Sequence, residues 1–355
     1  MKALVLAGGS GTRLRPFSHS MPKQLIPIAN KPVLEYVLEN IRELGVTEVG
    51  VIVGDRGPQI AAALGDGSRL GLRLTFIEQD APRGLAHTVA IARDFLADDD
   101  FVMYLGDNML PDGIRETAEQ FAAHRPAAQL LVRKVADPSA YGVAELGPDG
   151  EVLRLVEKPA RPRSDLALIG VYFFTPAIHE AVTAIGPSAR GELEITDAVQ
   201  WLVSSGAVVR AGEYGGYWKD TGSVADVLEC NRKLLDDIVS GVAGEVDAAS
   251  ELRGPVIIGA GARVTGSRIE GPVIVGAGSV VENCHIGPHT AIGRDCVLRD
   301  TRIEYSITLD GATVTQVRGL RGSLIGRAAT VDARAEGADH HCLVVGDHAR
   351  IEVAA

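Results

Sequence analysis

The feature that most narrows the possible folds lies in the last third of the chain, where aliphatic residues return at a fixed long period. They stand at 258, 264, 269, 275, 281, 286, 292, 298, 303, 309, 314, 320, 325 and 331, always five or six apart. Ile258, Val275, Ile292 and Leu309 are 17 apart, and so are Ile269, Ile286, Ile303 and Leu320. One coil of three short strands therefore takes about 17 residues, and each aliphatic stacks on its equivalent one coil on. About five coils fit before Val331, and Leu343–His348 offers material for another. The stretch 241–253 reads as a linker and 254–355 as the repeat domain.

Ile258-Gly259-Ala260-Gly261-Ala262, Val275-Gly276-Ala277-Gly278-Ser279 and Ile292-Gly293-Arg294-Asp295-Cys296 are imperfect hexapeptides. The pattern resembles the left-handed parallel β-helix of hexapeptide-repeat proteins. Many such proteins are acyltransferases with a histidine base at a subunit edge, and His285, His289, His340 and His341 stand in this region. No further acyltransferase pattern accompanies them. The better expectation is a β-helix that builds an oligomer or holds the preceding domain in position.

Residues 1–240 have a different rhythm. The apolar run Ala3–Leu6 reads as a buried parallel strand, followed by Ala7-Gly8-Gly9-Ser10-Gly11-Thr12-Arg13-Leu14. In a Gly-rich turn a phosphate chain can lie against backbone N–H groups. Arg13 and Lys23 add two cations, one suited to bidentate grip on phosphate and one a mobile point charge. The plain alternative is a strand-to-loop turn with solvated charges. A P-loop would need Lys-Ser or Lys-Thr where Thr12-Arg13 stands, and a dinucleotide fingerprint would need Gly in place of Leu14.

Val33, Leu34, Val37, Leu38, Ile41 and Leu44 recur at helical spacing up to Gly45. Val49–Val53, Leu72–Ile77 and Phe101–Leu105 read as strands, Leu85–Phe95 and Ser223–Ser240 as helices. This alternation predicts an α/β, Rossmann-like domain with a mostly parallel sheet. Ligands then bind beyond the carboxyl ends of its strands. Gly8, Gln79 and Asp107 would gather at that edge. Asp107 suits Mg²⁺, which takes one or two carboxylates and completes its shell with phosphates and water. Gly106-Asp107-Asn108 is also ordinary turn chemistry.

Composition excludes several classes. The chain has 355 residues, 46% of them apolar, and a net charge of −11, which argues against disorder and against nucleic-acid binding. Cys230, Cys284, Cys296 and Cys342 form no C-x-x-C pair. Disulfides and zinc are not expected, and a reduced cytoplasmic setting fits. The N-terminal apolar run is too short for a signal-peptide core, and no stretch approaches a membrane span.

The motifs carry a more specific resemblance. Gly8–Leu14 with Pro22-Lys23-Gln24-Leu25 resembles the activation loop of sugar nucleotidyltransferases, and Leu105–Asn108 their metal-binding segment. Glu78-Gln79 with Pro82-Arg83-Gly84-Leu85-Ala86 is similar to the base-reading segment of the glucose-1-phosphate thymidylyltransferases. Tyr141-Gly142-Val143, Val156–Pro159, Gly170-Val171-Tyr172, Arg190–Asp197 and Tyr217–Gly222 resemble that family's sugar-side blocks, in order. The long form of the family, with a β-helix after the catalytic domain, is the nearest match.

The resemblance implies residue roles. Arg13 and Lys23 are the catalytic cations. Leu6, Ala7, Gly8, Gly9, Gly11, Thr12, Gln79, Pro82, Gly84 and Asp107 join them around the nucleotide. Asn108, Tyr141, Gly142, Glu157, Lys158, Val171, Tyr172, Arg190 and Trp218 fall on the sugar phosphate, although Trp218 also fits a core role. Asp107 and Asp220 become the Mg²⁺ carboxylates, Asp220 being alternatively a cap of the helix near Ser223. The implied reaction joins dTTP and glucose 1-phosphate into dTDP-glucose and pyrophosphate, in a homo-oligomer, trimeric or tetrameric. Use of UTP, another nucleotide or another sugar 1-phosphate is the competing enzyme reading. A non-catalytic regulatory dTDP-sugar sensor is the reading from another class.

Overall fold

The computed structural model describes residues 1–333 and 348–350; His340, His341, Cys342 and most of the Leu343–His348 repeat lie outside the described residues. The chain divides into two compact units. The first comprises Met1–Ser10 with Val33–Lys219, and the second Gly11–Pro32 with Asp220–Ala355.

The first unit is built on a mixed nine-stranded sheet. One of its interior strands is Lys2–Leu6, in which Ala3, Leu4 and Val5 are wholly buried. A continuous apolar run of this kind is what a strand covered on both faces requires. Glu48–Val53 pairs parallel with it on one side and Phe101–Leu105 on the other. Arg73–Glu78 extends the parallel half. The strand order thus reverses at Lys2–Leu6, the point where open α/β sheets leave a crevice beyond the strand ends. Beyond Phe101–Leu105 the sheet turns antiparallel, through Leu166–Phe174 and the hairpin Gly142–Leu146/Val152–Glu157. Leu166–Phe174 also pairs with Ala128–Lys134, to which Val209–Glu213 is parallel.

Helix Val33–Glu43 buries the expected apolar stripe, and Gly45 follows at φ +78°. The helix expected over 85–95 is interrupted at Ala92, giving Leu85–Ile91 and Arg93–Leu96. One core joins Leu4, Ile52, Val89, Phe101, Phe174 and Val199 across sheet and helices. Full burial of each such side chain contributes about 1.5–3 kcal/mol.

The second unit is the expected parallel β-helix, and it begins earlier than expected. Gly241–Val242, Glu245–Val246 and Glu251–Arg253, in the stretch read as a linker, are strands that pair in parallel with the coil after them. Two six-stranded sheets and one five-stranded sheet follow from stacking the coils. Of the 14 periodic aliphatics, Leu320 and Val331 are half-buried and the rest are buried. One column departs from the 17-residue period. Ile292 pairs with Thr308, and Thr308 with Ile325, so Leu309 is displaced by one position from the Ile258–Val275–Ile292 ladder. The neighbouring column makes the same shortened step, from Leu298 to Val314, while Ile303 keeps its full step to Leu320. Cys230, Cys284 and Cys296 are buried free thiols.

Helix Val224–Asp236 precedes the β-helix. Its N-cap is Ser223, whose Oγ accepts from Asp226 N at 3.2 Å, so the cap is not Asp220. The segment Gly11–Pro32 ends in a tight hairpin pairing Pro27–Ile28 with Lys31–Pro32. Among the described residues no helix is long and apolar enough to cross a membrane.

Candidate functional site

In the first unit, three strand ends are held in line. Ala7 N donates to Ile52 O at 2.8 Å, Gln79 N to Val53 O at 2.8 Å, and Gly106 N to Leu6 O at 2.9 Å. The turn at Gly8 therefore begins between Gln79 and Asp107, as the strand order predicts. Leu6 and Ala7 are buried, so only their backbone can serve a ligand, whereas Gly9 is exposed. A Cβ on Gly8 would stand 3.5 Å from Gln79 Oε1 and 3.5 Å from Gly54 N. Gln79 Nε2 lies 3.2 Å from His87 Nδ1 and 3.5 Å from Gly84 O. The amide's donor is thus engaged, and its acceptor oxygen faces the loop. His87 was not legible as a site residue, because its role depends on the turn that carries helix Leu85–Ile91 back past Gln79.

Gly84 adopts φ +101°, and a Cβ there would lie 2.3 Å from Leu193 O. Leu193 N donates to Arg83 O and Ala86 N to Leu193 O, at 2.8 and 3.0 Å. The Pro82–Ala86 segment is therefore laced to the Arg190–Asp197 segment by backbone alone. Gly84→Ala is expected to lose about 1–3 kcal/mol of stability through clash and backbone strain. Urea unfolding measures this, and an unchanged midpoint would show that the two segments need not lie so close.

Asp107 is half-buried and Asn108 buried. Asn108 Nδ2 donates to Asp107 Oδ1 at 3.1 Å, and Trp218 Nε1 donates to Asn108 Oδ1 at 2.7 Å. The Trp218 ring meets Tyr141 edge to face at 5.6 Å. Trp218 is thus neither simple core nor a lone site residue; it orients the amide that orients Asp107. Gly170, the first residue of the Gly170-Val171-Tyr172 block, turns at φ +77° with Asn108 Nδ2 3.1 Å from where its Cβ would be.

A second cluster forms around Glu157. Its Oε1 lies 3.5 Å from Lys158 Nζ and 3.4 Å from Arg190 Nη1, and its Oε2 accepts from Thr196 Oγ1 at 3.1 Å. A Cβ on Gly142 would touch Glu157 Oε2 at 3.2 Å and Thr196 Cγ2 at 2.6 Å, so only glycine leaves this floor open. Arg190 also pairs with Glu194, 3.3 Å away. Burial raises the Glu194 carboxyl above its ordinary value, against the Ser188 hydrogen bond, which lowers it. Burial, and then the Glu157 charge, raise Asp197 in the same way. The cluster is a carboxylate wall with two exposed cations, groups of the kind that bind hydroxyls and phosphate. Two expected contacts are not available as side chains. Val171 is wholly buried, and the Tyr172 ring stacks on Phe174 at 5.9 Å inside the core, where burial pushes its phenol far up.

The second unit carries the expected cations. Gly11 turns at φ +63°, and a Cβ on it would press Lys23 Cβ at 3.1 Å, so the two ends of the loop lie side by side. Thr12–Leu14 is a single 3₁₀ turn that leaves Arg13 exposed. Arg13 Nη2 stands 3.7 Å from Asp220 Oδ2. A Cβ on Gly222 would fall 2.4 Å from Asp220 Oδ1 and 2.5 Å from Arg13 Nη2, so Gly222 is what lets the two charges approach. Among the described residues no group of three or more His, Cys, Asp or Glu side chains is arranged to hold a metal ion. Asp107 in the first unit and Asp220 in the second are each carboxylates, the hard oxygen donors that Mg²⁺ takes one or two of.

A Gly-rich loop at the switch point of an α/β sheet, with an amide oxygen turned toward it, is an arrangement suited to a nucleotide-handling enzyme. The family model described as nucleotidyl transferase matches residues 2–237, and the chain belongs to that family. It is similar to a glucose-1-phosphate thymidylyltransferase of Streptomyces griseus, 53% identical over 353 residues and 99% of both chains. A solved structure from Bacillus anthracis, in complex with sucrose, is 33% identical with a TM-score of 0.62, over 68% of this chain and 97% of that one. A UDP-glucose pyrophosphorylase complexed with UDP-glucose is 25% identical with a TM-score of 0.60, over 66% of this chain and 98% of that one.

Proposed function

We propose that this nucleotidyltransferase joins dTTP and glucose 1-phosphate into dTDP-glucose and pyrophosphate. The observation that carries the reading is the Gln79 amide, its Oε1 turned to Gly8 and its Nε2 held by His87 and Gly84. A fixed acceptor at that place selects a base with a donor at N3, which thymine and uracil have and cytosine lacks. The 53% identity to a thymidylyltransferase over nearly the whole chain supports the choice of thymine.

In this reading a sugar-phosphate oxygen attacks the α-phosphorus in line. A new P–O bond forms, the bond to the β-phosphate oxygen breaks, and pyrophosphate leaves. Arg13 and Lys23 grip the triphosphate and neutralise the leaving group. The turn Leu6–Thr12 offers backbone N–H groups, and Gln79, Pro82 and Gly84 frame the base. Asn108, Tyr141, Gly142 and Glu157 orient the sugar, with Val171 and Tyr172 acting through backbone, while Lys158 and Arg190 take its phosphate. Trp218 holds Asn108. Asp107 and Asp220 would be the carboxylates that hold Mg²⁺, which would supply charge neutralisation for the phosphates. The remainder is positioning. The buried free thiols suit a reducing cytoplasm, and the β-helix suits a homo-oligomer, trimeric or tetrameric.

Pyrophosphate release with glucose 1-phosphate and Mg²⁺ tests the reading. The expected order is dTTP first and UTP next, about 10- to 200-fold weaker, since one methyl group is worth about 1–3 kcal/mol in a pocket. CTP is expected to fall below both. UTP equal to dTTP would favour the second reading, a uridylyltransferase, for which the UDP-glucose pyrophosphorylase neighbour speaks. A preference for a purine triphosphate would overturn the role given to Gln79.

A further inference from the structure

The hairpin that closes the Gly11–Pro32 segment is tied down at its tip. Its two central residues, Ala29 and Asn30, both adopt left-handed backbone, φ +48° and +61°. Two such residues are the mark of the tightest hairpin turn, yet alanine is disfavoured there and persists only where its surroundings hold it. The holding group is Asn231. This side chain is fully buried among Val227, Leu228 and Leu235 on the inner face of helix Val224–Asp236. Its Oδ1 accepts from Ala29 N at 2.9 Å, and its Nδ2 donates to the His289 carbonyl in the β-helix at 3.1 Å. The His289 ring meets Asp236 Oδ1 at 2.9 Å, fastening the same helix a turn further on. Asn30 Nδ2 completes the tie by donating to Ile292 O, in the next strand of the β-helix, at 2.6 Å.

We infer that Asn231 is a positioning residue for the reaction: with Asn30 it fastens the loop carrying Arg13 and Lys23 to the β-helix. A buried amide with both ends used is costly to leave half-satisfied, which makes the tie all-or-none. The β-helix thereby becomes a working part of the nucleotidyltransferase, since the carbonyls of His289 and Ile292 are what the tie holds. The inference rests on the reading that Arg13 and Lys23 act on the triphosphate.

The test uses the full chain with Asn231→Ala and, separately, Asn30→Gly, which tolerates the left-handed backbone and removes the side chain that donates to Ile292 O. Amide hydrogen exchange reads the tie directly. Ala29 is expected to exchange about tenfold faster or more in both variants, with the sheet of the first unit unchanged. Steady-state kinetics well below the melting temperature read its use. The turnover number is expected to fall about 10- to 100-fold, as misplacement of charged groups by an ångström does. The KM for glucose 1-phosphate is expected to stay within about twofold, because no uniform substrate contact is lost. A purely structural role would lower the melting temperature and leave turnover per folded molecule intact, and that result overturns the inference. Unchanged exchange at Ala29 overturns it equally. If Asn231→Ala does not fold, Asn30→Gly decides alone. Wild-type protein inactive with every triphosphate would defeat the functional reading, and unchanged exchange at Ala29 would defeat the tie itself.

Discussion

Asp107→Asn is expected to fold normally and to lose about a thousandfold in turnover. The carboxylate is half-buried at the end of a parallel strand, and its bond to Asn108 Nδ2 ties it to Trp218. An amide keeps the shape of the group and one acceptor oxygen while removing the charge that the proposed Mg²⁺ site needs. A metal at reacting phosphates is worth several kcal/mol, and each 1.4 kcal/mol is about tenfold in rate. Single-turnover rates across a Mg²⁺ titration, with circular dichroism to establish folding, measure the effect. Turnover restored at saturating Mg²⁺ would mean that Asp107 only sets affinity, and near-wild-type rates throughout would remove it from the site.

Lys23→Ala is the second large effect. Lys23 lies against Gly11, at the far end of the loop from the strand, on the segment that also carries Arg13. In the proposed reaction its charge matters most when pyrophosphate departs. The expected result is a fall in turnover of about 100-fold or more, of the size seen when one preorganised donor to a developing charge is removed. The KM for glucose 1-phosphate is expected to stay near its original value. The reverse pattern, a raised sugar KM with turnover intact, would move Lys23 to the other substrate.

The architecture was legible because it rests on periodicities that do not depend on distant contacts. The buried run Ala3–Leu6 and the alternation after it force a parallel sheet, and steps of five and six force stacked coils. Legibility ended where the more apolar of two neighbouring residues was not the one that took the column. Leu309 and Thr308 are both buried, and nothing local says that Thr308 takes the column. The first coil escaped notice because Val242, Val246 and Leu252 keep part of their surface exposed, with a neighbouring coil on one side alone. In the site, strand order alone brought Gly8, Gln79 and Asp107 to one edge. His87, Leu193 and Thr196 could not be found that way, because each acts through a contact made by tertiary folding. Asn231 was hidden for a simpler reason: a polar residue in an amphipathic helix reads as surface until the helix is seen from its packed side.

The anchoring of the loop also imposes an order on manufacture. The partners of Ala29 and Asn30 lie 202 and 262 residues further along the chain. At 5–20 residues per second, a ribosome needs roughly 10–50 s to reach them after it has made the hairpin. Throughout that interval the strands of the sheet and the Glu157 cluster are made while the hairpin tip waits for its partners. On the inferred role of the tie, catalysis waits for the coil that carries His289 and Ile292 rather than arriving with the motifs, and a message cut short before residue 292 yields a polypeptide that has the motifs but lacks the Asn30 tie.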